Sequence, residues 1–153
     1  MSNTTTSAGE RLVIRRTFAA KRERIWQAFT DAEEAMQWSH PENMSTKEFT
    51  ADLHVGGAFR LTMVKPDGEE YSAKGIYREI TPPEKLVYTW TWEEDTPQEE
   101  HETLLTIELR ALGDDTELTL THENLKSVES RDGHEVGWNE FLNNLGSHLA
   151  STS

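Results

Sequence analysis

From about residue 46 the chain alternates apolar and polar positions. Phe49, Ala51 and Leu53 alternate with Thr50 and Asp52, and Phe59, Leu61 and Met63 with Arg60 and Thr62. A period of two is the mark of a strand with one face buried. Leu86, Tyr88, Trp90 and Trp92, set against Val87, Thr89 and Thr91, make the clearest example. Leu105, Ile107 and Leu109 continue it, as do Leu118, Leu120 and His122. The breaks carry turn chemistry: Gly56-Gly57, Pro66-Asp67-Gly68, Thr81-Pro82-Pro83-Glu84 and Gly113-Asp114-Asp115. With a strand over 70–80, the pattern predicts six antiparallel strands in one uninterrupted meander.

A seventh strand is predicted over 11–18, where Leu12, Ile14 and Arg16 alternate with Val13, Arg15 and Thr17; periodicity leaves its facing open. Ile25, Trp26 and Phe29 then repeat at helical spacing. Thr30 and Glu33 have capping-box spacing, predicting a second short helix that carries Ala35, Met36 and Trp38 and stops before Pro41. Residues 124–132 read as a polar connector. Asp132 and Glu135 repeat the capping-box spacing, and the stripe Trp138, Phe141, Leu142, Leu145 and Leu149 predicts a helix over 133–150. The polar stretch 1–9 is expected to be a disordered tail, leaving 10–151 as a single domain.

Helices segregated from an antiparallel sheet define an α+β fold. The apolar face of the sheet needs a cover, and the C-terminal helix is the only large element left to supply it. A seven-stranded twisted sheet wrapped around one helix touches it imperfectly along its length. The gap is the expected place for a cavity.

Composition narrows the function. The 153 residues suit one domain, and the absence of cysteine excludes disulfides, thiolate nucleophiles and Cys-type zinc sites. The net charge of −13, from 28 acidic and 15 basic residues, opposes nucleic acid and anionic membrane surfaces. The N-terminal stretch has no apolar signal-peptide core and no segment is long enough to span a bilayer, so a cytoplasmic protein is expected. Six acids within 93–102 read as a solvated loop.

Several segments together resemble a known family. They are Glu23-Arg24-Ile25-Trp26-Gln27-Ala28-Phe29-Thr30-Asp31, then Trp38, then Val55-Gly56-Gly57-Ala58-Phe59-Arg60. Gly75-Ile76-Tyr77-Arg78-Glu79-Ile80 and Pro82-Pro83-Glu84-Lys85-Leu86-Val87-Tyr88-Thr89-Trp90 follow, and near the end Thr116-Glu117-Leu118-Thr119-Leu120-Thr121-His122-Glu123 and Gly137-Trp138. In order and spacing, from about Arg11 to Leu149, they resemble the START/SRPBCC superfamily, which includes the birch-pollen-allergen fold and polyketide cyclases. Within it they are similar to the group named after the activator of heat-shock protein 90 ATPase. The resemblance implies a helix-grip fold with a pocket between sheet and long helix. It implies no single activity, because this fold serves lipid carriers, cyclases, hormone receptors and chaperone regulators.

The expected cavity residues are Phe59, Tyr77, Tyr88, Trp90, Trp92, His122, Trp138, Phe141, Leu142 and Leu145. Of Trp90 and Trp92, one is read as core and one as pocket. Trp138 is either pocket wall or helix anchor. Tyr77 and Tyr88 offer hydroxyls to a pocket or serve structure. His122 is a core histidine or, failing that, the best general-base candidate. Arg60 and Arg78 fall on the polar phase and are read as solvated. No catalytic motif is recognised, and no cofactor is expected. Metal sites are not expected either: His134 and His148, 14 residues apart on one helix, stand roughly 21 Å apart. His40 with Glu42 lacks a third ligand in local spacing, and His101, within the acidic loop, offers only a weak site for a stray divalent cation. The chain thus reads first as a binding module for a small apolar or aromatic molecule. A co-chaperone-like interaction module with a chaperone as partner comes second, and a cyclase- or hydrolase-type enzyme third.

Overall fold

The computed structural model describes residues 3–8 and 11–151. Its strands are β1 (Asn3–Ala8), β2 (Arg11–Phe18), β3 (Ser45–Ala51), β4 (Ala58–Val64), β5 (Glu70–Thr81), β6 (Lys85–Trp92), β7 (Thr103–Leu112) and β8 (Asp115–Glu123). The helices are α1 (Arg22–Thr30), α2 (Ala32–Ala35) and α3 (Val128–Ser151). All seven predicted strands are present, and β3 to β8 form the predicted meander. The sheet order is β1-β2-β8-β7-β6-β5-β4-β3, antiparallel throughout. Of the stretch expected as a disordered tail, Asn3–Ala8 runs as an edge strand beside β2; the rest lies outside the described residues.

The facing of β2 is now fixed. Leu12, Ile14, Arg16 and Phe18 are all buried, and Arg16 reaches α3. Its two terminal nitrogens donate to Asn143 Oδ1 and Asn139 Oδ1, both at 2.8 Å, from side chains one helical turn apart. These bonds tie α3 to β2, the strand its backbone approaches most closely. The main core forms between Leu12, Ile14, Leu118 and Leu120 of the sheet and Leu142, Leu145 and Leu149 of the helix.

Two helix starts differ from the sequence expectation. The short α2 is capped by Asp31, whose side chain accepts from the Glu34 N–H at 3.1 Å, rather than by Thr30. The long α3 begins at Val128, where Ser127 Oγ accepts from the Ser130 N–H at 3.0 Å. Asp132 is therefore inside the helix, and most of the expected connector is its first turn and a half. At the far end of α3, His148 Nε2 meets Glu34 Oε2 at 2.7 Å, and Arg24 Nη1 meets the same oxygen at 2.5 Å. This pins α1 and α2 to the end of α3.

Two features interrupt the regular strand pairing around Tyr77. The Gly56-Gly57 turn bonds back to Tyr77, from Gly56 N to Tyr77 O at 2.8 Å and from Tyr77 N to Gly57 O at 2.9 Å. The β5–β6 register shifts just beyond, between Tyr77 and Glu79. Such bulges increase strand twist. At Gly75 an added Cβ would collide with the Thr89 carbonyl and the Phe59 ring. Glycine there lets Phe59 lie across β5, on the inner face of the sheet.

Candidate functional site

The first half of α3 and the end of β6 leave a space between them. A pocket of about 310 Å³ opens there. Trp90 and Trp92 come from β6, and Ser130, Gly133, His134, Gly137, Trp138 and Phe141 from α3; Pro41, in the loop after α2, completes the wall. A more enclosed space of about 30 Å³ adjoins it and shares Trp90, Trp138 and Phe141. Phe29, Trp38, Phe49, Phe59, Tyr77, Leu86 and Tyr88 close most of the rest of that inner space. A volume of that order holds a water or one small chemical group.

The aromatic wall is built from edge-to-face contacts, which the ring quadrupole favours. Trp90 meets Trp138 at 4.9 Å, Trp138 meets Phe141 at 4.9 Å, and Trp90 meets Trp92 at 5.5 Å between centroids. Hydrogen bonds lock two of these indoles. Trp138 Nε1 donates to His122 Nδ1 at 3.0 Å, and Trp92 Nε1 donates to His134 Nε2 at 2.9 Å. An indole N–H can only donate, so each accepting nitrogen is bare and the ring proton sits on the other. His134 Nδ1–H then donates to the Ser130 carbonyl at 2.7 Å. His122 Nε2–H donates to Thr103 Oγ1 at 2.6 Å, and that hydroxyl donates to the Trp90 carbonyl at 2.5 Å. The two imidazoles stand edge to face, 4.9 Å apart.

Burial, with the nearby His134 adding to it, pushes the His122 imidazole down to about 3. His134 is also lowered by burial, against its bond to Ser130. Both rings are therefore neutral near pH 7, and every ring nitrogen is engaged. As placed, His122 orients Trp138 and has no free nitrogen to act as a base. Ser130 Oγ lies 3.4 Å from His134 Nδ1, but that nitrogen carries a proton and cannot activate a nucleophile.

Trp90, Trp92, Trp138 and Phe141 come together in the open pocket, and Phe59, Tyr77 and Tyr88 in the inner one. His122, Leu142 and Leu145 line neither and are almost wholly buried in the core behind them. Neither phenol oxygen of Tyr77 and Tyr88 has a hydrogen-bond partner among the described residues, although both side chains are buried. Burial raises the Tyr77 phenol to about 12 and the Tyr88 phenol further, so both stay protonated. Trp90 Nε1 is also buried without an acceptor among these residues. Arg60, read as solvated, pairs with Glu93 at 2.7 Å and Glu48 at 3.2 Å on the outer face.

Sequence reasoning missed Gly133, His134 and Gly137 as site residues. Their signal was present: two glycines at i, i+4 just before the apolar stripe. A Cβ added at Gly133 or Gly137 meets nothing within 4 Å, so packing does not require glycine at either position. By contrast, a Cβ at Gly146, in the same helix, would touch the Phe18 ring at 3.5 Å. Among the described residues no group of three or more His, Asp or Glu could hold a metal ion, and no helix is long and apolar enough to cross a membrane.

The same architecture recurs in solved structures. A protein of Rhodobacter sphaeroides matches with a TM-score of 0.85 at 25% identity, over 99% of this chain and 100% of its own. The AHSA1 protein of Silicibacter pomeroyi matches at 0.83 and 27% identity, over 94% and 99%. A solution structure from Arthrobacter aurescens, at 20% identity, shares the fold with a TM-score of 0.85 over 98% of this chain and 92% of that one. No curated protein matches the chain. The family model described as Activator of Hsp90 ATPase homolog 1-like protein matches residues 19–150, from the start of the short helices to the end of α3. That span includes every residue lining either pocket, and the chain belongs to this family.

Proposed function

We propose that the protein binds a small apolar or aromatic molecule in the pocket between β6 and α3. The observation that carries this reading is the helix face of that pocket. Glycine inside a helix costs roughly 1 kcal/mol relative to alanine. Gly133 and Gly137 accept that cost where a side chain would fit, and the space left open is the pocket itself. Its volume of about 310 Å³ lies at the lower end of ligand sites, and its walls are mainly aromatic. A flat molecule would stack among Trp90, Trp92 and Trp138. With no cysteine to oxidise, the chain suits a reducing compartment such as the cytoplasm.

The family description favours a second reading, a co-chaperone-like contact with a protein partner. Titration of isopropenylnaphthalene against tryptophan fluorescence tests the first. Saturable change with one molecule per chain, retained in Trp26→Phe on α1, supports it. An unsaturable response at the compound's solubility limit would remove it and leave the interaction reading in front.

A further inference from the structure

We infer that the molecule bound here carries one small, uncharged hydrogen-bond acceptor at its buried end, a carbonyl-type oxygen, received by the hydroxyls of Tyr77 and Tyr88. The inference rests on the binding reading above and narrows it to a chemical class.

Three observations lead to it. The first is size. The open pocket of about 310 Å³ has room for a ring system, while the inner space of about 30 Å³ has room for one small group. The two share Trp90, Trp138 and Phe141, so a ring system stacked in the first presents its inner end to the second. Trp138 is held there by its bond to His122. Phe141, also part of the shared wall, has no polar atom to bond and is held by packing against Trp138.

The second is unmet hydrogen bonding. The phenols of Tyr77 and Tyr88, with ring centroids 5.7 Å apart, both border the inner space, and neither hydroxyl has a partner among the described residues. Two such donors bordering one small space suit an oxygen with two lone pairs.

The third is charge. Among the described residues no Lys, Arg, Asp or Glu lines either space. Among the described residues His134 is the only imidazole at either wall, and its ring is neutral as bonded. A carboxylate or ammonium would enter without a counter-charge, which is strongly unfavourable in an apolar site. A neutral carbonyl meets both demands, because it accepts twice and is cheap to desolvate.

The test compares shape-matched probes. Naphthyl methyl ketone and isopropenylnaphthalene differ only in C=O against C=CH₂, and naphthoate supplies the charged counterpart. Calorimetry should show the ketone binding about thirtyfold tighter than the alkene, the size of two net hydrogen bonds, with naphthoate weaker than both. The infrared carbonyl stretch of the bound ketone should move to lower frequency than in hydrocarbon solvent. Tyr77→Phe with Tyr88→Phe should abolish both the preference for ketone over alkene and the frequency shift. Equal binding of ketone and alkene to the unaltered protein, or an unshifted stretch, overturns this inference and leaves apolar binding standing. If neither neutral probe binds, the binding reading fails and this one with it. The infrared arm needs only the unaltered protein, so a poorly folded double variant does not shelter the idea.

Discussion

Replacing Gly133 and Gly137 with alanine should make the protein more stable and its pocket smaller at the same time. Both residues lie inside α3, and neither new Cβ would have a heavy atom within 4 Å. No clash offsets the gain in helix propensity, about 0.8–1.0 kcal/mol per site. Part of that gain comes from a less flexible unfolded chain. Together the two changes are worth about 1.5–2 kcal/mol. For a domain of this length each kcal/mol moves the melting temperature by roughly 2–4 °C, so the double variant should melt about 3–8 °C higher. Both glycines line the pocket, so with methyl groups there affinity for isopropenylnaphthalene should fall. Gly137→Leu carries the logic further: a bulky side chain on the pocket wall should abolish saturable binding in a protein that melts no lower than the original. Circular-dichroism melts and fluorescence titrations read the two effects separately. A double-alanine variant that melts lower would mean that atoms already occupy the space beside those glycines. Undiminished binding by Gly137→Leu would mean that the ligand sits elsewhere. Gains in stability at a cost in function are common where a site is kept open.

Two further outcomes follow from buried polar groups. The depressed His122 pKa makes stability pH-dependent: below its ordinary value of 6.5 the unfolded imidazole takes a proton that the folded one refuses until about 3. Its contribution is thus complete above pH 6.5 and lost on acidification, by roughly 1.4 kcal/mol per pH unit. Urea midpoints from pH 7 to 5 should fall more steeply for the original than for His122→Asn, and identical slopes would refute this. Glu34→Ala leaves Arg24 and His148 packed around a missing carboxylate, and breaking such a buried pair costs about 3–5 kcal/mol; a loss under about 1 kcal/mol in the same assay would show that solvent already screens it.

The sequence determined the strands, their order and the apolar stripe of α3, because these follow from local periodicity and turn chemistry. Leu86, Tyr88 and Trp90 point inward because side chains alternate along any strand, whatever packs against it. Residues 93–102, polar and acidic throughout, leave β6 and pass through a short turn at Pro97–Glu99 before β7 begins. Periodicity could not assign Arg16, whose inward position depends on two asparagines more than 120 residues away. The sequence also placed the start of α3 too late, since Gly133 and the polar residues before it look like a connector until Ser127 is seen to cap them.

The same limit applies to the site. Aromatic residues at strand and helix spacing announced an apolar interior, but whether their rings fill it or surround a space depends on how far the sheet stands from the helix. That distance is a tertiary property, to which the bonds from Arg16 to Asn139 and Asn143, holding α3 to β2, contribute. The roles of the histidines were likewise decided in three dimensions. His122 and His134 are 12 residues apart on different elements, and only the fold brings them edge to edge with an indole donating to each. Local sequence specifies which atoms are available. Long-range packing specifies which of them are already paired, and so which remain for a ligand.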